Sequence, residues 1–267
     1  MPLTVEDLVG DLRAESDSLI EVLQPLSNDQ WLLPTPAANW SIADTVSHLA
    51  FFDEVATMAC VDPDRFREIA AAHMNSGMDF PDRVAAEHRD LTGNQLLAWF
   101  ERTRPEMIEA FASLDLGDRV PWYGPSMSVA SMFTARVMET WAHGQDIVDA
   151  LGITLEPTAR LRHVAHIGIG ARAYTYKVRG LDLPDAAIRV ELTAPDGSLW
   201  TWGPQDATDR VTGDAFEFCR VVTQRQNIAD TALTVVGNDA VHWMSIAQAF
   251  AGAAGPGRPA RNELEPA

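Results

Sequence analysis

The run Ser126-Met127-Ser128-Val129-Ala130-Ser131-Met132-Phe133-Thr134-Ala135-Arg136-Val137-Met138-Glu139-Thr140-Trp141-Ala142-His143-Gly144-Gln145-Asp146-Ile147-Val148-Asp149-Ala150-Leu151-Gly152 decides how the chain is read. A serine opens it and a glycine closes it, so it is predicted as one long helix. Glu139 and His143 stand four residues apart, which puts a carboxylate and an imidazole on one face, one turn apart. Arg136 and Asp146 project to the same side, with Met132, Ile147 and Ala150 between them. Charged groups among apolar neighbours are costly to bury unless something pairs with them. A divalent metal would do so, given a third ligand from elsewhere, and His48 is the candidate.

Working outward, Thr4 is predicted to cap a first helix reaching about Leu26. Ser27 to Trp31 has a capping-box pattern suited to a short helical turn, and Leu33-Pro34-Thr35-Pro36 is an extended connector. A second capping box, Ser41-Ile42-Ala43-Asp44, opens a helix whose buried arc holds Ile42, Val46, Leu49, Phe52 and Val55. His48 falls on that arc. Alone, it reads more readily as a core histidine bonded to a backbone carbonyl, and Glu139 and His143 taken singly read the same way. Together, on helices predicted to pack, two histidines and one carboxylate would leave an open position on zinc, as catalytic zinc sites do. The Glu-x-x-x-His spacing by itself is a weak signal. Asp53 reads as solvated or locally paired.

Asp62-Pro63 starts a further helix to about His73, followed by a loop from Met74 to Pro81. His73 and His88 read as surface or loop-flanking residues. Thr92 opens a third long helix with a stripe of Leu96, Leu97, Phe100, Met107, Ile108, Phe111 and Leu114, and Pro105 should kink it. Asp115 to Pro125 is a loop, where Trp122 and Tyr123 either wall a pocket or plug the bundle end. Four main helices with short connections predict a helix bundle over residues 1–155.

The second half reads differently. Pro157 to Arg179 is predicted helical, the core of a bridging segment over 156–182, and its His163 and His166 read as core or interface residues. Ala187 to Thr193 and Ser198 to Gly203 alternate at period two around Pro195-Asp196-Gly197, a β-hairpin. Gly213-Asp214 starts a helix to about Gln224, Thr231 to Val236 is a third strand, and Asn238 or Asp239 caps a last helix. These make a small α+β domain over 183–252, followed by a loose tail over 253–267.

Composition bounds the function. The 267 residues carry 38 acidic and 20 basic side chains, a formal net charge of −18. Such a balance repels nucleic acid and anionic membrane surfaces. The two cysteines, Cys60 and Cys219, imply no disulfide framework and fit a reducing cytoplasm. The N-terminus has no signal-peptide pattern, and no apolar run is long enough to span a bilayer.

Two segments carry a family resemblance: Trp40-Ser41-Ile42-Ala43-Asp44-Thr45-Val46-Ser47-His48-Leu49 and Glu139-Thr140-Trp141-Ala142-His143-Gly144-Gln145-Asp146-Ile147. Together they resemble the mycothiol-dependent maleylpyruvate isomerase family, within the DinB-like metal-dependent thiol-transferase group. The resemblance implies a mainly α protein: a DinB-like four-helix bundle, then a small α+β domain of sterol-carrier-like fold. It implies a divalent metal, zinc or another such as nickel, held by His48, Glu139 and His143, with mycothiol as co-substrate. Asp146 also matches and would orient His143, and Arg136 would neutralise a substrate carboxylate or pair within its helix. The family's Gly-Arg step stands here as Gln224-Arg225, which makes Arg225, beside Arg220, the candidate cofactor-binding arginine on an altered motif. Trp122 is the candidate aromatic contact. The expected activity is thiol S-transfer or isomerisation of an electrophilic small molecule by a monomer or homodimer. The alternatives are a zinc hydrolase using metal-bound water and a non-catalytic metal- or apolar-ligand-binding protein.

Overall fold

A computed structural model describes residues 4–77 and 79–264. The chain divides into two compact units, residues 1–155 and 156–267.

The first unit is helical. It comprises α1 (Val5–Leu23), α2 (Asn28–Trp31), α3 (Ile42–Val61), α4 (Pro63–Asn75), α5 (Phe80–Glu87), α6 (Gly93–Ala112), a two-residue pair of strands β1 (Arg119–Val120) and β2 (Met127–Ser128), and α7 (Val129–Leu151). Local chemistry sets the helix starts. Thr4 with Asp7, Ser27 with Gln30, Ser41 with Asp44 and Thr92 with Gln95 each form a reciprocal capping box, satisfying backbone N–H groups that a helix start leaves orphaned. Ser128, not Ser126, caps α7, because Met127 and Ser128 are held in antiparallel pairing with Val120 and Arg119. Gly152 ends α7 at φ 66°, a left-handed conformation that costs glycine nothing.

Apolar stripes then pack α3 on α6 and α1 on α7. One part of the core gathers Leu8, Leu12, Val55, Phe66, Met107, Phe111 and Phe133; another gathers Leu19, Leu23, Trp31, Ile42, Leu49, Phe100 and Ile147. α6 continues through Pro105. Helix α5 occupies part of the stretch for which no element was predicted; its sequence, Phe-Pro-Asp-Arg-Val-Ala-Ala-Glu, buries only Phe80, Val84 and Ala85. So short a stripe carries little periodic signal.

Inside this core lies a polar clasp. The Arg104 guanidinium of α6 donates from Nε to Asp53 Oδ2 on α3 at 2.7 Å. Its Nη1 donates to Ser16 Oγ on α1 at 3.0 Å and to Thr140 Oγ1 on α7 at 2.8 Å. The side chains of Arg104 and Asp53 are 3% and 0% exposed. Asp53 is therefore neither solvated nor locally paired: its partner lies 51 residues away. Burial pushes the Asp53 carboxyl up, and the Arg104 charge pulls it back.

The second unit comprises α8 (Leu161–Gly170), α9 (Arg172–Val178), β3 (Ile188–Thr193), β4 (Leu199–Trp202), β5 (Asp209–Asp214), α10 (Ala215–Val222), β6 (Thr234–Val236) and α11 (Asn238–Ile246). The expected single helix from Pro157 to Arg179 is two helices that change over at Ala171. α8 packs on α10 through Gly168, where a Cβ would lie 2.5 Å from Val222 Cγ2. The sheet runs β4-β3-β5-β6, with β3 antiparallel to β4 and parallel to β5. β5 was not predicted: within Asp-Arg-Val-Thr-Gly-Asp only Val211 is a large apolar residue. Nor is α11 capped by Asn238 or Asp239. Gly237 precedes it without a side-chain cap, and Asp209 of β5 accepts from the backbone N–H of Asp239 and Ala240, both at 2.9 Å. The tail is tied down beyond Gly252: Arg179 donates to the Gly255 carbonyl at 3.0 Å and Asn227 to that of Arg258 at 2.7 Å.

Replacing Arg104 by methionine leaves Asp53 a buried, uncompensated carboxylate. The expected loss is about 3–5 kcal/mol in urea unfolding. The double replacement Arg104→Met/Asp53→Leu should lose less than the sum of the two single changes, which the double-mutant cycle measures.

Candidate metal centre

Helix α3 carries His48 on its buried side, and α7 carries Glu139 and His143 one turn apart. One donor atom from each lies within 4.8 Å of the other two. The imidazoles of His48 and His143 meet edge to face, ring centroids 4.8 Å apart. His143 Nε2 is 3.4 Å from Glu139 Oε2. A tetrahedral cation with ligand bonds of about 2.0–2.2 Å would set ligand atoms roughly 3.3–3.6 Å apart. Two imidazole nitrogens and a carboxylate oxygen are a donor set that suits zinc and other borderline divalent ions. The Glu139–His143 separation matches that spacing, and with His48 the three residues offer the donors that such an ion takes.

The electrostatics keep the carboxylate ionised. Burial pushes Glu139 up, but the hydrogen bond from His143 and the charges of Arg136, His143 and His48 outweigh it and hold the carboxyl at about 2. Behind His143, its Nδ1 lies 3.5 Å from Asp146 Oδ2, and the Asp146 side chain is fully buried. Arg136 Nη2 is 3.9 Å from Glu139 Oε1, beyond a hydrogen bond. Arg136 Nη1 is buried and has no hydrogen-bond partner among the described residues.

Aromatic side chains surround this group. Phe52, one turn beyond His48, lies 4.6 Å from its ring and joins Phe80, Trp122 and Tyr123. Trp122 stacks flat on Phe66 at 5.8 Å, and the Arg136 guanidinium stands 5.9 Å from its ring. His73 is not a bystander of the loop: its Nδ1 lies 3.0 Å from Tyr123 Oη and its ring stacks on Phe80. His88 bonds locally, to the Val84 carbonyl, and packs on Trp99.

The structure thus brings together His48, Glu139, His143, Asp146 and Arg136, with Trp122 beside Arg136. Arg225 belongs to the second unit, where its Nη1 donates to the Thr223 carbonyl at 2.6 Å. Gln224 takes φ 61°, in the left-handed region that favours glycine. Sequence reasoning gave no role to Asp82 or Phe52. Helical period put Phe52 with the core, and Asp82 lies on the short α5.

A helix bundle with two histidines and a glutamate converging between facing helices is the architecture of a ligand-binding or metal-holding bundle. Residues 12–148 match the family described as mycothiol maleylpyruvate isomerase N-terminal domain, and the chain belongs to that family. Residues 184–236 also match a family described as wyosine base formation. Two curated relatives, from Mycobacterium tuberculosis strains CDC 1551 / Oshkosh and ATCC 25618 / H37Rv, are both described as uncharacterised proteins. Each is 44% identical over 250 residues, covering 94% of this chain and 97% of the relative. Among solved structures, the mycothiol-dependent maleylpyruvate isomerase superposes with a TM-score of 0.59 at 14% identity, over 87% of this chain and 93% of that one. A histidine-to-alanine mutant of it gives 0.57, over 84% and 90%. At this identity the superposition speaks for the fold.

Phe52 bridges His48 to the aromatic cluster, so Phe52→Ala should cost about 3–5 kcal/mol through the cavity it leaves. Thermal unfolding of the metal-free protein reads this loss, and an unchanged melting temperature would show that the cluster does not support α3.

Proposed function

We propose that this protein is a divalent-metal-dependent thiol S-transferase or isomerase that uses mycothiol against an electrophilic small molecule. The observation that carries the reading is the convergence of His48, Glu139 and His143 within 4.8 Å. Membership of the mycothiol maleylpyruvate isomerase family supports the choice of thiol. His48, Glu139 and His143 would hold the ion, zinc by preference. When bound, such an ion lowers the pKa of a coordinated thiol and makes thiolate available at neutral pH.

The chain's own groups complete the chemistry. Glu139, ionised far below neutrality, is a ready anionic ligand. Asp146 stands on the far side of the His143 ring, where outer partners of ligating histidines stand, and would orient it when an ion is bound. Arg136 provides a buried positive charge beside the donors, suited to an anionic group on the electrophile. In isomerisation, sulfur adds to a conjugated double bond, the resulting single bond rotates, and elimination returns the thiol. In transfer, the new carbon–sulfur bond persists. Hydrolysis is the weaker reading, because Asp53 is committed to Arg104 and Asp146 stands behind the His143 ring, which takes both carboxylates from the role of general base. A net charge of −18 argues against nucleic-acid partners, and a reducing cytoplasm is where a low-molecular-weight thiol stays reduced.

The purified protein is expected to hold about one divalent ion per chain, and His48→Ala/His143→Ala to lose it, by elemental analysis. A thiol-conjugation screen with mycothiol, glutathione and bacillithiol, with and without zinc, tests the activity. Zinc-dependent loss of mycothiol, or of maleylpyruvate without net thiol loss, is the expected result. Full metal retention by the double mutant would sink the proposal. Asp146→Ala should weaken metal binding about 10–100-fold while the chain remains folded, as calorimetric titration and circular dichroism together report.

A further inference from the structure

One aromatic ring touches both histidines of the cluster. The indole of Trp40 lies 4.9 Å from the His48 ring, tilted at 55°, and 5.7 Å from the His143 ring, nearly parallel at 16°. The imidazoles come from different helices, 95 positions apart by number, so no local rule places them against one indole. An imidazole binds an ion through a lone pair in the plane of its ring. A neighbour packed against the ring face limits ring rotation without competing for that nitrogen. Phe52, at 4.6 Å, is a further aromatic contact of His48.

Trp40 is itself held. Its Nε1–H donates to Asp82 Oδ1 on α5 at 2.7 Å, a short bond to an acceptor that carries charge when ionised. Its carbonyl accepts from Thr35 N at 2.8 Å and Thr35 Oγ1 at 3.0 Å. The residue before it, Asn39, takes φ 65°, and Arg89 donates to the Asn39 carbonyl at 3.1 Å. Arg89 also donates to Asp44, the partner of Ser41 in the capping box of the helix that carries His48, at 2.7 Å. An indole filling space in a core requires an N–H partner but not one supplied by an exposed side chain of a separate short helix. Asp82 is such a side chain.

We infer that Trp40 is a positioning residue for both imidazoles, and that Asp82 of α5 sets the orientation of Trp40. The inference rests on the metal reading given under Proposed function. It adds that ligand geometry is preset before the ion arrives, through a contact from outside the two ligand-bearing helices. Helix α5 then acts on the site through this hydrogen bond as well as through the packing of Phe80 on Phe52.

Cobalt(II) alone is the probe, titrated into the metal-free full-length chain and its variants, with calorimetry for affinity and ligand-field absorption for geometry. Trp40→Leu and Asp82→Leu are expected to bind about 10–100-fold more weakly than wild type, with an altered absorption envelope. Asp82→Asn keeps an oxygen facing the indole N–H and should stay close to wild type in both readouts. Asp82 is exposed, so its variants keep the test open if Trp40→Leu does not fold. Wild-type affinity and spectrum in Asp82→Leu would overturn the inference while leaving the metal site intact. Failure of the wild-type chain to bind cobalt would overturn the metal reading first, and this one with it.

Discussion

The buried guanidinium of Arg104 is the constraint on which the first unit turns. From α6 it reaches α1, α3 and α7 at Ser16, Asp53 and Thr140. Apolar stripes can slide by a turn at modest cost, because one leucine resembles the next. A buried arginine with fixed partners cannot, since any slip strands a charge in a low-dielectric interior. Asp53 follows His48 on α3, and Thr140 adjoins Glu139 on α7. The clasp therefore sets the register in which the faces that carry His48 and Glu139 meet. Specificity of register, more than net stability, is what such a buried pair is suited to provide.

Around the site the bundle departs from ordinary core composition in one consistent direction. Glu139, Asp146, Arg136 and the two imidazoles occupy positions that packing alone would fill with leucine or phenylalanine. Local violations of the burial rule concentrate where function demands them. The surroundings compensate with aromatic faces, Trp40, Phe52 and Trp122, which pack closely against imidazole and guanidinium without offering a rival charge.

The second unit shows a different economy. Its central strand β5 and its helix α11 are joined by Asp209, which both ends the sheet register at Ile188 and caps the helix start. Gly237 is required there because a Cβ would lie 2.2 Å from the Asp209 carboxyl carbon. The family shared with mycothiol-dependent maleylpyruvate isomerase covers the bundle, while a separate family description covers the sheet region. Fold membership alone does not choose the electrophile.

Sequence by itself determined what is local. Capping boxes at Thr4, Ser27, Ser41 and Thr92, the αL glycine at Gly152, the hairpin around Asp196-Gly197 and the Glu139/His143 pair all depend on residues within a few positions of one another. Such interactions leave a signature at fixed spacing. The mainly α class with an α+β second half followed from those signatures. Only the tertiary structure decided what is joined over long separations: the partner of Asp53, the parallel pairing of β5, the capping of α11 by Asp209, and the indole of Trp40 against two imidazoles. Each of these is a meeting of side chains with no preferred spacing along the chain. A single sequence carries no record of such meetings, because they are set by how apolar faces stack in three dimensions.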